Sequence, residues 1–517
     1  MSGQVQLVVA GRILEGFAAD GTPILHENAA LAIQGGKVLA IGPVAAMRDS
    51  YQGAEETGGP AMFVIPGLVN AHHHVGLTPL QLGSPDHPLE LWFASRLALR
   101  DVDPYLDTLY SAFEMISSGV TTVQHLHSRV PGGVMQSLSI AGRVIDAYRD
   151  IGMRASYSLA LRDQNRLVYA DDAEFAASVP PDVQPSLRDY FKRFTLPLED
   201  QCAIYEALRA KAATLETNGR VAVQLSPANL HWLSDRALEC AATLSKRDNA
   251  PMHIHLVETV YQKAYAKKRT GGTALEHLHR MGLTGPLLTA GHSTWMTESD
   301  IELCAHTGTR ICHNCSSNLR LKSGLAPLNR FLAKGIRVGL GMDEAGINDD
   351  RDMLQEMRMA LRLHREPGLD APHPEPAQIL RMATEFGAET TPFGASIGRL
   401  HPASEADLVM FDWDAVTYPY QNAAVAPIDV LVQRARGNAI KQVMIAGETV
   451  YKDGRFTKLD RDAVLAEIAA RMKAPLTPAE RDRVTLAKSV FPYVKKFYDG
   501  YLDGIGMDPH YRVSGRD

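Results

Sequence analysis

Histidines at the end of an apolar segment are the feature of this sequence that most directly suggests chemistry. Residues 64–76 read VIPGLVNAHHHVG, an apolar run that ends in three consecutive histidines. Because side chains alternate along a strand, His72 and His74 would leave on one face while His73 points to the other. His72 and His74 are therefore a ready pair of metal ligands, although a polar loop remains the simpler interpretation of this motif taken alone.

Further candidate ligands and acid–base groups end later apolar segments. His255 and Glu258 lie in MHIHLVE, His292 ends LLTAGH, and Asp343 follows RVGLGM. Taken singly, each has a structural interpretation, because His292 or Asp343 could cap a helix and Glu258 could be a solvated residue of a first helical turn. Together they offer imidazoles and carboxylates in the combination that Zn²⁺ or a similar borderline metal accepts.

The elements that would position these residues repeat as apolar strand, loop and amphipathic helix. The eight strands are VIPGLVNAHHH, GVTTVQHLH, MRASYSLAL, RVAVQLSP, PMHIHLVE, LLTAGHS, TRICHN and RVGLGMDE. Eight strands alternating with helices predict an α/β fold of the (β/α)8 TIM-like barrel type. In such barrels the chemistry gathers at the carboxyl ends of the strands, where the candidate residues fall.

Both ends of the chain have a different texture, in which apolar and polar residues alternate. Residues 4–63 contain a hairpin signal at Gly35-Gly36, and similar strands return with turns at Ala446-Gly447 and Asp453-Gly454. Two such segments separated by a barrel predict one discontinuous β-domain. The predicted organisation is a first β part at 1–65, the barrel at 66–390, a second β part at 391–459 and a helical C-terminal extension at 460–517.

Composition narrows the class of protein. The 517 residues are 45% hydrophobic and 22% charged, as in globular proteins, with a net charge of -6 and no basic tract, which argues against nucleic acid or anionic membranes as partners. A secretory signal and a membrane-spanning apolar run are not evident, so we expect a cytoplasmic protein. The five cysteines suggest no disulfide framework. Cys312 and Cys315 flank His313, but without a second CxxC a zinc or redox site there is disfavoured.

The motifs in this order resemble the amidohydrolase superfamily. Its closest branch contains the cytosine, guanine and S-adenosylhomocysteine deaminases and the triazine, phenylurea and thiocarbamate hydrolases. The resemblance is specific at the level of the superfamily and weak at the level of substrate; it covers about residues 4–460 and implies that the discontinuous β-domain is a small β-sandwich. It rests on VIPGLVNAHHH, MHIHLVET, GHS, HNCSSNLRLKSGLAP and GLGMDE, with SEADLVMFDWD and KQVMIAGETVYKDGRF in the β-domain.

Carried over by position, the resemblance assigns roles to the candidate residues. The metal ligands would be His72, His74, His255 and Asp343, with water completing the shell, while His292 would contact that water or the substrate and Glu258 would shuttle protons. His253, two residues before His255, is interpreted as a buried core residue, because the family motif places the ligand three residues before the Glu.

A missing lysine bears on the number of metal ions. Dinuclear relatives use a carbamylated Lys at the end of strand 4, and here that segment reads RVAVQLSPAN. A mononuclear site is therefore expected, with one divalent metal per chain. Zn²⁺ is preferred, and Fe²⁺ or Mn²⁺ are alternatives.

The predicted chemistry is hydrolysis of a carbon–nitrogen bond. A divalent metal lowers the pKa of bound water from about 16 to about 7, so hydroxide can attack an electron-poor sp² carbon at neutral pH. Asp343 would accept the proton, Glu258 would protonate a ring or amide nitrogen, and His292 would stabilise the oxygen. We predict a deaminase of a purine, pterin, pyrimidine or triazine type heterocycle. The alternatives are an amide, urea or carbamate hydrolase of the same fold, and a non-catalytic scaffold, which the retained ligands disfavour.

Substrate contacts are expected from loops at the strand ends. Trp92 could equally be a packing residue, and Glu344 could either point outward or enter the pocket and recognise an amidine or a cationic group. The predicted substrate-binding residues for this small molecule are Gln81, Trp92, Asn229, His231, Ser317, Asn318 and Glu344.

Two segments fall outside this catalytic scheme. The insertion at 162–194, broken by Pro180-Pro181, is expected to form a lid or a subunit contact. Capping signals predict one helix from Asp460 to Met472 and another that begins at Thr477-Pro478. The aromatic residues that follow need a surface to cover, either the chain's own barrel or a neighbouring subunit. The second interpretation is preferred and predicts a homo-oligomer, a dimer or larger.

Overall fold

A computed structural model describes residues 4–128, 130–215, 217, 219–508, 510 and 511; residues 1–3 and 512–517, at the outer ends of the first and last predicted segments, lie outside the described residues. The strands are β1 Gln6–Phe17, β2 Pro23–Gln34, β3 Lys37–Pro43, β4 Glu55–Pro66, β5 Leu68–His73, β6 Val120–His127, β7 Arg154–Leu161, β8 Val221–Val223, β9 Ser226–Pro227, β10 Met252–Leu256, β11 Leu288–His292, β12 Arg310–His313, β13 Val338–Leu340, β14 Leu408–Asp412, β15 Ile440–Ile445, β16 Glu448–Lys452 and β17 Arg455–Phe456.

Helices connect and cover these strands. They are α1 Val44–Ser50, α2 Leu89–Ser95, α3 Pro104–Ser117, α4 Val134–Ile151, α5 Asp172–Ser178, α6 Gln184–Arg193, α7 Leu198–Thr214, α8 Asp235–Asp248, α9 Val260–Thr270, α10 Ala274–Arg280, α11 Glu298–Thr307, α12 Cys315–Arg320, α13 Leu328–Ala333, α14 Met353–Leu363, α15 Pro376–Arg381, α16 Gly387–Glu389, α17 Trp413–Thr417, α18 Pro427–Arg434, α19 Arg461–Met472 and α20 Pro478–Phe497. In the described part of the chain, no helix is long and apolar enough to cross a membrane.

The barrel consists of two parallel four-stranded arcs. One arc has the order β5-β6-β7-β8 and the other β10-β11-β12-β13. Parallel bridges close the ring, one between Leu225 and Met252 and one between His73 and Asp343. The predicted (β/α)8 barrel is therefore confirmed, and its closure places the end of the first strand directly beside the end of the eighth.

Amphipathic helices pack on the outside of this ring. In α4 the buried residues Ala141, Val144, Ile145 and Tyr148 recur at helical spacing and join the main apolar core. Gly152 ends α4 in the left-handed conformation at φ 81°, which glycine adopts without a steric cost. The helix predicted between the second and third barrel strands is therefore confirmed, with its apolar face toward the core.

The two ends of the chain meet in one eight-stranded sheet with the order β17-β16-β15-β14-β4-β1-β2-β3. Strand β4 lies in its middle and pairs with β1 in parallel and with β14 antiparallel. Among the hairpin-connected strands, β1 is antiparallel to β2 and β2 is antiparallel to β3. Helix α1 crosses over between β3 and β4, so β4 runs in the same direction as β1. The predicted turns at Gly35-Gly36, Ala446-Gly447 and Asp453-Gly454 all connect neighbouring strands, which confirms them.

The insertion and the C-terminal helix form a second apolar core beside the barrel. It includes Leu187 and Tyr190 of α6, Val490 and Val494 of α20, and Tyr498. The predicted caps are confirmed, because Asp460 caps α19 and a capping box from Thr477 to Glu480 opens α20.

The aromatic tail is covered within the chain. The ring of Tyr498 lies 5.5 Å from that of Tyr169 in the insertion, and the ring of Phe497 lies 6.1 Å from that of Phe175. The preferred interpretation of these aromatics as an oligomer contact therefore loses its basis. Formation of a homo-oligomer stays a prediction without support from this segment.

Candidate metal centre and active-site pocket

Four side chains converge where the first, fifth and eighth barrel strands end. The Nε2 atom of His74 lies 3.0 Å from the Nε2 atoms of His72 and His255 and 3.1 Å from Oδ1 of Asp343. The Nε2 atom of His72 lies 3.5 Å from the same Oδ1. Tetrahedral ligands with bonds of about 2.0–2.1 Å stand roughly 3.3 Å apart. This donor set therefore fits one divalent ion, and the structure brings all four predicted ligands together.

The opposite ring nitrogens orient two of these histidines for a metal. Nδ1 of His74 contacts the carbonyl of Leu126, and Nδ1 of His255 lies 2.8 Å from the carbonyl of Ala228. A carbonyl only accepts hydrogen bonds, so each Nδ1 carries the proton and each Nε2 presents its lone pair to the cluster.

His72 is oriented by another histidine, because its Nδ1 lies 2.8 Å from Nε2 of His253. His253 is fully buried, as expected, but it also holds a candidate ligand. This second role of His253 was not predicted. Its signal was available, because residues two apart on β10 share a face and His255 is the candidate ligand on that face.

The backbone around the centre is strained. Val257, His292 and Asp343 adopt φ values of 41°, 64° and 54°, a region that residues other than glycine seldom occupy. Each stands at or just beyond the end of a barrel strand. A Cβ atom at Gly341 would lie 2.5 Å from Cβ of His72, so only glycine allows β13 to approach the ligand this closely. Such strain is typical of functional sites.

Helix α12, which follows β12, holds the catalytic candidates in place. Asn318 Oδ1 accepts a hydrogen bond of 2.9 Å from Nδ1 of His292, and the Ser317 hydroxyl donates to Oδ2 of Asp343. Ser317 and Asn318 were predicted to contact the substrate. In the structure they bond to His292 and Asp343 and so position those side chains, while their contact with substrate stays a prediction.

Two buried carboxyl groups in the site have opposite pKa shifts. Burial raises the pKa of Glu258 well above its usual range, and the neighbouring carboxylates of Asp343 and Glu90 add to this. Burial also opposes ionisation of Asp343, but the neighbouring imidazoles of His72 and His74 outweigh it and hold the pKa of Asp343 well below its usual range. Glu258 is therefore a proton donor and Asp343 an ionised acceptor, which is the division of roles that acid–base catalysis needs.

His292 stands between these two carboxyl groups. Its Nδ1 atom lies 3.7 Å from Oε1 of Glu258, and its Nε2 atom lies 4.0 Å from Oδ2 of Asp343. Burial lowers the pKa of His292, which keeps the ring neutral. A neutral ring at this position can hydrogen-bond to an oxygen without adding a charge.

A cavity of about 590 Å³ opens over the cluster and reaches Glu258 and Asp343. Its walls are largely apolar and aromatic, with a few charged groups. The lining residues are His74, Leu89, Trp92, Phe93, Arg96, Leu126, Ser128, Ala160, Arg162, Ser226, Ala228, Trp232, His255, Glu258, Leu321, Asp343 and Glu344. Two of the predicted substrate contacts, Trp92 and Glu344, are among them.

The charged groups of the cavity are paired within the chain. Nη1 of Arg96 lies 2.7 Å from Oε1 of Glu344, and the Arg96 guanidinium lies 4.4 Å from the centre of the Trp92 ring. The guanidinium of Arg162 lies 4.3 Å from the Trp232 ring. The Glu344 side chain does enter the pocket, but the Arg96 guanidinium already pairs with its carboxylate. Its Oε2 atom has no hydrogen-bond partner among the described residues and is the part of Glu344 left for a ligand.

The other three predicted substrate contacts have partners elsewhere. Gln81 donates to the Tyr110 hydroxyl at 3.0 Å, and Asn229 donates to Gln262 at 3.1 Å. The ring of His231 packs 4.1 Å from that of Tyr169. Within the described structure, none of Gln81, Asn229 and His231 lines the cavity.

The lining residues that were not predicted include Arg96, Arg162 and Trp232. Arg162 had a signal, since it directly follows the third barrel strand. Arg96 directly follows the short helix α2, and Trp232 lies in the connection between β9 and α8. In neither place does the sequence pattern predict which way a side chain points.

The insertion supports one wall of the cavity. Glu90 of α2 accepts hydrogen bonds from the Tyr169 hydroxyl at 2.9 Å and from the Thr259 hydroxyl at 2.5 Å. Tyr169 belongs to the insertion, and Thr259 follows Glu258. The insertion expected to be a lid or a subunit contact thus packs behind α2 and is tied to the segment that carries the proposed acid.

A buried carboxyl group under α12 predicts a pH-dependent stability. Glu356 accepts hydrogen bonds from the backbone and the hydroxyl of Ser316, and burial raises its pKa from 4.5 to about 7. The folded state thus holds this proton more tightly than the unfolded state. This difference contributes about 3 kcal/mol to the free energy of unfolding. The contribution is complete below pH 4.5 and is lost as the pH rises through about 7.

Glu356→Gln, which resembles the protonated form, should remove that dependence. We expect the difference in unfolding free energy between variant and wild type to grow in favour of the variant from pH 5 to pH 8, as measured by urea unfolding. Parallel stability curves for the two proteins would contradict the assignment.

Comparisons with known proteins agree with this architecture. The chain matches the family model described as Amidohydrolase family over residues 63–450. It is 29% identical over 457 residues to a 5-methylthioadenosine/S-adenosylhomocysteine deaminase of Nitratidesulfovibrio vulgaris, covering 87% of this chain and 93% of the relative. It is 27% identical over 461 residues to a 5'-deoxyadenosine deaminase of Methanopyrus kandleri, covering 88% and 96%.

Solved structures share the fold. An adenosine deaminase of Xanthomonas campestris with bound zinc superposes with a TM-score of 0.76 at 24% identity, covering 93% of this chain and 98% of that one. An atrazine chlorohydrolase of Arthrobacter aurescens complexed with zinc gives a TM-score of 0.77 at 21% identity, covering 90% and 99%. At these identities the likeness establishes the fold.

Proposed function

We propose that this chain, which belongs to the amidohydrolase family, is a mononuclear metal-dependent hydrolase that removes an amino group from a nitrogen heterocycle. One observation carries the proposal. A single cavity contains a cluster of metal-type ligands and two carboxyl groups whose pKa values are shifted in opposite directions.

His72, His74, His255 and Asp343 would hold the ion, and their three imidazoles and one carboxylate suit Zn²⁺. Two proteins of the same fold are described with zinc, which supports that choice over Fe²⁺ or Mn²⁺. When bound there, a divalent ion supplies Lewis-acid activation of a water molecule.

Asp343 and His292 would handle the water. The Oδ2 atom of Asp343 receives the Ser317 hydroxyl, and its low pKa makes it an ionised acceptor for the proton that water loses. His292 lies within 4.0 Å of that oxygen, held by Asn318, where its ring can hydrogen-bond to the attacking oxygen. Both groups are pre-positioned, so little reorganisation is needed.

Glu258 would deliver protons to the heterocycle. It is buried, its raised pKa favours the protonated form, and the Ser323 hydroxyl lies 3.2 Å from its Oε1 atom. It donates its proton to a ring nitrogen as water adds to the carbon that bears the amino group. Asp343 then passes the proton it took from water to that amino group, which leaves as ammonia, and the proton of the new hydroxyl group returns to Glu258 as the ring carbonyl forms.

The walls of the cavity suit a flat, partly apolar substrate. Trp92, Phe93 and Trp232 supply aromatic surface beside a few polar groups that could orient a ligand, a combination typical of small-molecule sites. Two relatives named for adenosine-type substrates support 6-aminopurine nucleosides as the first class within the wider set of purines, pterins, pyrimidines and triazines.

A release assay separates the proposed reaction from its alternatives. Purified protein is incubated with 6-aminopurine nucleosides, free aminopurines, pterins, aminopyrimidines and aminotriazines, and ammonia is measured. Aryl ureas, amides and carbamates are assayed in parallel for released amine. We expect ammonia from at least one heterocycle. Amine release alone would assign an amide or urea hydrolase, and no release from any compound would favour a scaffold.

Localisation and assembly belong to the same proposal. All five cysteines are free thiols, as a reducing cytoplasm requires. We propose a cytoplasmic homo-oligomer that takes a small molecule as its only other partner. Light scattering of the purified protein gives the subunit number.

A further inference from the structure

A second cluster of ligand-type side chains lies behind the seventh barrel strand. His313 ends β12, Cys315 opens α12 and His364 follows α14, and each is only 1% exposed. Nε2 of His313 lies 2.8 Å from Nε2 of His364 and 2.9 Å from Sγ of Cys315. The cluster shares no residue with the catalytic centre, and its thiol gives it a softer donor set.

Hydrogen bonds around Tyr511 fix the proton of His364. The Tyr511 hydroxyl donates its one proton to the carbonyl of Ala326 at 3.1 Å and accepts from the backbone N–H of Asn329 at 3.2 Å. Nδ1 of His364 lies 2.8 Å from this hydroxyl oxygen and donates to it when the hydroxyl proton goes to Ala326. In that tautomer His364 turns an unprotonated Nε2 toward the cluster, as His74 and His255 do in the catalytic centre.

The three donor atoms of the cluster face one another. Nε2 of His313 faces the lone pair of His364 on one side and the sulfur of Cys315 on the other. Nδ1 of His313 has no hydrogen-bond partner in the part of the chain that is described. A cation between the three atoms would satisfy two imidazole lone pairs and a thiolate at once.

We propose that His313, Cys315 and His364 bind a thiophilic metal ion, Zn²⁺, in a structural site separate from the catalytic one. Binding releases the thiol proton of Cys315 to solvent and forms one sulfur–metal and two nitrogen–metal bonds. The pair Cys312 and Cys315 does not act together. Cys312 lies on the inner side, near His72 and His253, and only Cys315 reaches this cluster.

The position of the site suggests what the ion would stabilise. It would join the end of β12 to α14 and, through Tyr511, to the C-terminal tail. Helix α12, which Cys315 opens, also carries Ser317 and Asn318, which hold Asp343 and His292. The ion would thus fix the helix that supports the catalytic side chains.

Cobalt substitution tests this site without relying on activity. Chelator-treated full-length protein is reconstituted with Co²⁺, and its near-ultraviolet spectrum is recorded. Thiolate bound to Co²⁺ gives an intense charge-transfer band, which the His and Asp ligands of the catalytic centre cannot give. We expect this band in the wild-type protein. It should disappear in Cys315→Ser and persist in the matched control Cys312→Ser.

Zinc content gives the second readout. We expect about two zinc ions per chain in protein purified without chelator and about one in Cys315→Ser or His364→Phe. Absence of the cobalt band in wild-type protein would overturn the proposal and leave a hydrogen-bonded triad. A band that depends on Cys312 rather than Cys315 would overturn it as well. Neither result would affect the ammonia assay, so failure here is distinct from failure of the proposed function.

Discussion

Glu258→Gln is expected to lower turnover of the aminoheterocycle about 10²- to 10⁴-fold, the usual contribution of a general acid–base group, while bound metal stays unchanged. Glutamine keeps the size of the side chain and can still accept from the Ser323 hydroxyl, but it cannot pass a proton to the ring nitrogen. Steady-state ammonia release measures the loss, and elemental analysis measures the metal.

The loss should fall on kcat rather than on KM, because the proton is needed in the transition state and not for binding. Glu302→Gln on the exposed face of α11 is a matched control and should behave as wild type, since that side chain is 64% exposed and forms an ion pair with Lys334 far from the cavity lining. A Glu258→Gln variant with wild-type turnover would remove Glu258 from the mechanism.

Asp343→Ala is expected to abolish detectable ammonia release and to bind one metal ion fewer per chain than the wild type. The variant loses the Oδ1 atom that stands 3.1 Å from His74 and 3.5 Å from His72, and with it the acceptor for the proton of water. Elemental analysis and a competition titration with a chelator measure the metal.

Two further observations keep the Asp343→Ala result interpretable. Asp462→Ala, in the exposed first turn of α19, is the matched control and should retain metal and activity. Circular dichroism should show an intact fold, because Asp343 lies after β13 rather than in the apolar core. Full metal content in Asp343→Ala would mean that the ion binds elsewhere.

Features that depend on local pattern could be predicted from the sequence. The alternation of strand and helix predicted the barrel, because each strand had to be apolar enough for burial and each helix had a 3.6-residue period. The caps at Asp460 and Thr477 depend on residues at most three apart, so they too were visible. The converging ligands followed from strand ends, which a closed barrel brings together.

Features that depend on long-range packing could not be predicted. The ion pair of Arg96 with Glu344 joins residues 248 positions apart, and nothing in either local sequence indicates it. The hydrogen bonds of Ser317 and Asn318 depend on which way one short helix turns. The aromatic tail needed a partner surface, and the sequence could not distinguish the chain's own insertion from another subunit.

The most direct test of the account is an anomalous difference map at the zinc absorption edge, from crystals of protein purified without chelator. We expect a peak enclosed by Nε2 of His72, His74 and His255 and by Oδ1 of Asp343. Such a peak, together with ammonia release by the same preparation, would place a single catalytic ion in the proposed site. A map without density between these four atoms, from protein that is active, would contradict the central claim.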